Sequence, residues 1–152
     1  MVKILYKITL DLKKDKVHGW EKAQSARDIV DYVDRNLKGE IPPAIEVVER
    51  DGVYQLVYGK RSPIFRSNYN YGGHHRSLAA HISEKPLDAF VLDEHKVNPS
   101  SENFSSIQNV DLSFWIGDFL YIRKRLKRFP EEVRLRFMNS CGLFLKMGLM
   151  AS

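Results

Sequence analysis

The chain has 152 residues, with 24 Lys and Arg against 19 Asp and Glu, a net charge of +5 and an apolar fraction of 43%. That balance excludes wholesale disorder and fits one domain with its own core, and the lone Cys141 excludes a disulfide scaffold. Excess positive charge points to polyanionic partners (nucleic acid, nucleotides or acidic membrane surfaces), and the lack of a signal-like leader or long apolar run makes a cytoplasmic location the expectation.

Residues 3–12 alternate, with Ile4, Tyr6, Ile8, Leu10 and Leu12 opposite Lys3, Lys7, Thr9 and Asp11, which predicts a half-buried strand. From Glu21 to Leu37 the residues Ala23, Ala26, Ile29, Val30, Val33 and Leu37 recur at helical spacing. Gly39 stands where that helix needs a left-handed stop. Pro42-Pro43 then break the chain. Ile45–Glu49 and Val53–Tyr58 are β-rich and separated by Arg50-Asp51-Gly52, a hairpin signal.

Residues 60–71 read as a basic and aromatic loop. Lys60, Arg61 and Arg66 are its candidate nucleic-acid contacts, since such cations meet phosphates while rings stack on bases. The alternative is that the loop only covers the turn that follows it. That turn is Tyr71-Gly72-Gly73-His74-His75-Arg76, and it leads into a helix expected to end near Ser83, with Leu78, Ala79 and Ile82 inward. Pro86 forbids continuation. Paired glycines let an anion approach the main chain, a helix N-terminus attracts phosphate, and Arg76 and His75 supply further donors. A plain turn with solvated basic residues is the competing reading.

Ala89–Leu92 reads as a short strand buried on both faces, and residues 98–108 as a linker rich in Asn and Ser. Beyond it Leu112, Trp115, Ile116, Phe119, Leu120 and Leu126 form a helical stripe, followed by the basic run Arg123–Arg128. Phe129-Pro130 makes a corner, and Pro130 with Glu131 and Glu132 starts another helix well. Val133–Met150 is apolar on more than one side, so that helix is expected to be sandwiched or to sit at an oligomer interface. Cys141 lies among apolar neighbours and reads as a small buried hydrophobe.

The order of elements over roughly residues 1–97 resembles the ParB/sulfiredoxin superfamily. Pro43-Ala44-Ile45-Glu46-Val47 is similar to the Pro-Pro-Ile-Asp-Val run that members carry before the hairpin. Tyr71-Gly72-Gly73-His74-His75-Arg76 is similar to the sulfiredoxin Phe-Gly-Gly-Cys-His-Arg signature and, more loosely, to the Gly-x-x-Arg box of ParB. The resemblance implies an α+β fold, a ParB/sulfiredoxin-like mixed sheet with packed helices, covering 1–97. Residues 109–152 would then form a C-terminal helical extension, packed on the same domain or at an oligomer interface. It also implies that Gly72, Gly73, His75 and Arg76 contact the phosphates of a nucleotide such as ATP or CTP. His74 stands where sulfiredoxins carry their cysteine. A sulfinic acid reductase needs a thiolate there, so that activity is excluded. No helix-turn-helix of the ParB kind is recognisable either.

Two functional expectations remain open beside a third, in which the fold is a relic with no ligand. The first is an enzyme of nucleotide or phosphodiester chemistry, an ATPase or nuclease acting in plasmid or phage DNA transactions. His74 would be the general acid or base, and Glu46 the leading carboxylate for base or metal duty ahead of Glu40, Glu49 and Asp11. Mg²⁺ would bridge the phosphates, and no protein-ligated metal site is expected, because His18, His81 and His95 show no ligand spacing. The second is a regulatory or inhibitor module without turnover, whose C-terminal helices bind a partner protein or a second copy. Plasmid-borne inhibitors of DNA transfer resemble that arrangement.

Overall fold

A computed structural model describes residues 3–19, 23–57, 73–93, 105–106, 111–113 and 116–141. In chain order they form β1 (Ile4–Leu10), β2 (Lys16–Gly19), β3 (Ala23–Ser25), α1 (Ala26–Leu37), β4 (Ile45–Arg50) and β5 (Val53–Leu56). Then come α2 (His74–Ser83), β6 (Leu87–Leu92), β7 (Ser105–Ser106), β8 (Asp111–Ser113), a 3₁₀ turn at Ile116–Asp118, α3 (Phe119–Leu126) and α4 (Glu131–Asn139). The class is α+β. The main sheet is mixed and six-stranded, in the order β1-β6-β4-β5-β2-β7, and β3 pairs with β8 beside it.

The β4–β5 hairpin follows from its turn. Asp51 and Gly52 both have positive φ, 52° and 79°, the backbone that a two-residue type I′ connection requires. Arg50 pairs with Val53 directly across it. β6 is central, antiparallel to β1 and parallel to β4, and its buried Leu87, Ala89 and Val91 fit that place. Among the described residues β1 is an edge strand, and the half-buried reading holds only at its far end. Leu10 is fully buried, whereas Ile4, Leu5 and Tyr6 are exposed.

The helices lie on the sheet face that carries Ile45, Val47, Leu56, Ala89 and Val91. These strand residues share one cluster with Ile29, Val30 and Val33 of α1 and Leu78 and Ile82 of α2. Ile122 and Leu126 of α3, and Val133 and Phe137 of α4, join the same cluster, so α3 and α4 are built into the core that the N-terminal elements form. Each fully buried aliphatic or Phe side chain contributes about 1.5–3 kcal/mol to that packing. A second, smaller cluster of Val48, Val57 and Leu92 occupies the other face of the sheet.

Several boundaries differ from expectation for physical reasons. Residues 23–25 pair with β8 instead of opening the first helix, which begins after Ser25, whose Oγ accepts the Asp28 amide at 3.4 Å. α1 does end at Gly39: the Glu40 amide donates to Arg35 O and the Gly39 amide to Asn36 O, a Schellman closure. Within the expected linker, Ser105–Ser106 pairs with β2. The stripe read through Leu112, Ile116 and Leu120 is not one buried face. Leu112 is in β8, and Ile116 and Leu120 are exposed while Ile122 and Leu126 point inward. The last helix closes at Asn139, with Cys141 buried and bridged to Leu112, and residues 142–152 lie outside the described residues.

α2 also ends in a Schellman closure, but with Glu84 rather than glycine at φ 55°. Its carboxylate meets Lys13 Nζ at 2.9 Å and Arg136 Nη1 at 3.2 Å, so this residue ties the turn after β1 to α4. Arg136 Nε donates to Ile82 O at 2.6 Å in the same junction.

Candidate functional site

The helix α2 begins over one end of the sheet, where β4 starts and β5 and β2 finish. Val47 pairs with Leu56 and His18 with Gln55, which brings Ile45, Leu56 and Gly19 to that end. Gly73 is the N-cap residue, with φ 99° and ψ 20°. A Cβ on it would stand 2.2 Å from Ile45 Cγ2. Conformation and space both demand glycine here.

The three basic residues after it do different things. His74 is 3% exposed and is packed hard against β2: a Cβ on Gly19 would stand 2.6 Å from its Cδ2 and 2.8 Å from its Nε2. Arg76 is 7% exposed, and its Nη1 donates to Pro43 O and Ala44 O, both at 2.9 Å. The guanidinium thus fastens the Pro-broken approach to β4 onto α2 through charge-assisted bonds, worth about 1.5–3 kcal/mol each. His75 alone of the three has substantial solvent access, with 29% of its side chain exposed. Its ring stacks on Tyr32 at 6.4 Å between centroids, and its Nε2 lies 3.9 Å from Asp28 Oδ2. That separation is beyond a hydrogen bond, so Asp28 acts on it as a neighbouring charge. Arg35 sits on the Tyr32 ring at 5.8 Å.

The charge at this helix start differs from that at the starts of α1 and α4, while the first turn of α3 is also without an acidic residue. α1 carries Asp28 in its first turn and α4 carries Glu131 and Glu132, whereas α2 has no acidic residue there and has His75 and Arg76 instead. Both acidic starts agree with the positive end of a helix dipole; the basic start opposes it.

Of the residues expected at the site, Gly73, His74, His75 and Arg76 come together at this end of the sheet. Glu46 does not join them. Ile45 and Val47 face the helices and Val48 faces away, so strand alternation places Glu46 with Val48 on the opposite face, where it is 4% exposed. The sheet stands between Glu46 and His74. Gly72, Lys60, Arg61 and Arg66 lie outside the described residues. Their segment starts after Val57 and ends before Gly73, two residues at the same end of the sheet. Among the described residues, no three His, Cys, Asp or Glu side chains cluster as a metal site.

Three contributors were not expected. Asp28 and Tyr32, four apart on α1, form the wall beside His75, and the only sequence signal for them is that i, i+4 spacing. Gly19 makes room for the His74 ring, and a lone Gly at the end of Lys-Val-His-Gly is the mark of such an approach. No family model, no curated protein and no solved structure matches this chain.

Proposed function

We propose that the chain binds a phosphate group, carried by a nucleotide such as ATP or CTP or by DNA, at the start of α2. In this reading it is a binding module of DNA transactions, not an ATPase or nuclease working through His74 and Glu46. The observation that carries the proposal is the basic charge at the positive pole of α2, against the acidic starts of α1 and α4. Like charges there oppose helix formation, and a bound anion reverses the sign of that contribution. The likeness of Pro43–Val47 and Tyr71–Arg76 to the ParB/sulfiredoxin runs supports a nucleotide over a simple anion. The placement of Glu46 across the sheet from His74 favours binding without turnover by that pair.

Roles follow from exposure. His75 meets the phosphate oxygens, Gly73 sets the backbone bend, and Arg76 holds that bend in shape from behind. Mg²⁺ would accompany a nucleotide and neutralise oxygens that His75 does not reach.

Thermal unfolding of the purified chain with ATP, CTP, ADP and a short DNA duplex tests the reading. A ligand at 100 times its Kd adds about 2.7 kcal/mol of stability. The variant His75→Gln should melt as the native chain does and bind at least tenfold more weakly. Flat melting curves with all four ligands, or unchanged affinity in His75→Gln, overturn the proposal. Release of inorganic phosphate from ATP or CTP with Mg²⁺ would restore the catalytic reading.

A further inference from the structure

The two sides of α3 use their charges differently. Towards α1, Arg125 lies 3.6 Å from the centroid of the Tyr121 ring and 3.3 Å from Asp31 Oδ1, and the Tyr121 hydroxyl donates to that same oxygen at 2.5 Å. Ile122 and Leu126 enter the core. Every group on this side has a partner. The outer side carries Ile116, Leu120, Lys124, Lys127 and Arg128, spaced by three or four residues or adjacent, which makes them one stripe. Ile116 is 78% exposed and Leu120 75%. Lys124, Lys127 and Arg128 are exposed and make no ion pair among the described residues.

We propose that this stripe docks the protein reversibly on an anionic lipid surface. The stripe is apolar at one end and cationic at the other, so its partner must supply both apolar volume and negative charge. A second copy brings the same cations to its own stripe and is repelled. A nucleic acid supplies phosphates but offers little that would take two aliphatic side chains. An anionic bilayer supplies both, at adjacent depths. Helical rise puts Leu120 and Lys127 about 10 Å apart along the axis. With the helix lying along the surface, the two aliphatic side chains enter the headgroup layer beside the lipid phosphates that the cations meet. The stripe is on the outer face of a helix whose inner face is in the core. Two apolar anchors with three cations give weak attachment that depends on salt and on anionic lipid.

The experiment is co-sedimentation of the full chain with phosphatidylcholine vesicles, with and without one-third phosphatidylserine. Binding is expected only with phosphatidylserine, and it should fall at least tenfold on moving from low to high salt. Leu120→Glu and the pair Lys124→Gln with Lys127→Gln should each weaken it at least tenfold. Both changes are at exposed positions, so unchanged melting by circular dichroism confirms that folding is not the cause. Absence of binding to either vesicle overturns the proposal, as does equal binding to both. Binding that survives Leu120→Glu also overturns it. So does capture of duplex DNA, in place of vesicles, that the lysine pair abolishes.

Discussion

The starts of α4 and α2 solve the same local problem in opposite ways. α4 opens with Pro130, Glu131 and Glu132, a fixed φ followed by carboxylates at the positive pole. α2 opens with a left-handed glycine followed by two imidazoles and a guanidinium. The first satisfies the charge preference of an isolated helix, although its cap residue, Pro130, makes no side-chain capping bond. The second violates the charge preference, and its residues are held by the rest of the molecule: His74 by Gly19, Arg76 by the Pro43 and Ala44 carbonyls, His75 by Tyr32 and Asp28. A conflict between local preference and observed residues is expected where function, not stability, selects them.

The contrast is broken most severely at Gly73. Gly73→Ala should destabilise by about 3–5 kcal/mol, combining a left-handed backbone with a Cβ driven into Ile45. Denaturant unfolding should show either that loss or no folded protein. No comparable penalty is expected at the α4 start, where Pro130→Ala should cost under about 1 kcal/mol. Next is Arg76→Ala, expected to cost about 2–4 kcal/mol because a buried guanidinium and its two part-buried hydrogen bonds to Pro43 O and Ala44 O are lost. Arg76→Lys should recover part of it, and equal stability of all three proteins would remove the clamp from this account.

A finer test neutralises first-turn charge in both helices. Glu131→Gln should lose about 0.3–1 kcal/mol, whereas His75→Gln should lose less than that. Losses of equal size would mean that the two helix starts do not differ as described.

The smallest effects concern the far end of α2 under acid. His81 is held below its ordinary value of 6.5, chiefly by burial, then by the Arg136 charge, with Glu84 opposing. The folded state therefore resists its protonation. Its contribution is complete above pH 6.5 and declines as pH falls towards the depressed folded value. Glu84 is held below 4.5, chiefly by the hydrogen bond from Lys13, with burial opposing and Arg136 assisting. Its contribution is complete above pH 4.5 and is lost as pH falls through the folded value. Urea midpoints followed against pH should lose the upper slope in His81→Gln and the lower slope in Glu84→Gln. Parallel curves for both variants and the native chain would count against the junction.

What the sequence made legible were the elements whose reasons are local. The Asp51-Gly52 turn, the Gly39 stop and the span His74–Ser83 before Pro86 follow from backbone preferences of a few neighbouring residues. β2 was illegible because Lys-Val-His-Gly carries one strongly apolar residue, and its pairing partner β5 lies elsewhere in the chain. β3 was absorbed into a helical pattern because Ala23 and Ala26 keep helical spacing across the Ser25 cap. The α3 stripe misled because periodicity gives a face but not its direction, and the exposed Ile116–Leu120 line runs beside the buried Ile122–Leu126 line.

At the candidate site, Glu46 was separable from His74 in principle, since alternation in Ile-Glu-Val-Val-Glu-Arg already turns it away from Ile45 and Val47. The partners of Arg76 were not, because Pro43 and Ala44 are 33 and 32 positions distant and only the tertiary fold brings their carbonyls within reach.

The position of β1 carries a consequence for biosynthesis. Its neighbour in the sheet is β6, and Thr9 meets Asp88 across 79 positions of chain. At translation speeds of about 5–20 residues per second, the first strand waits on the order of ten seconds for its mate to leave the ribosome. The β4–β5 hairpin closes within microseconds once made. During that interval Leu10, fully buried in the finished sheet, has no partner strand to join, so β1 is a segment that a chaperone's grip would protect.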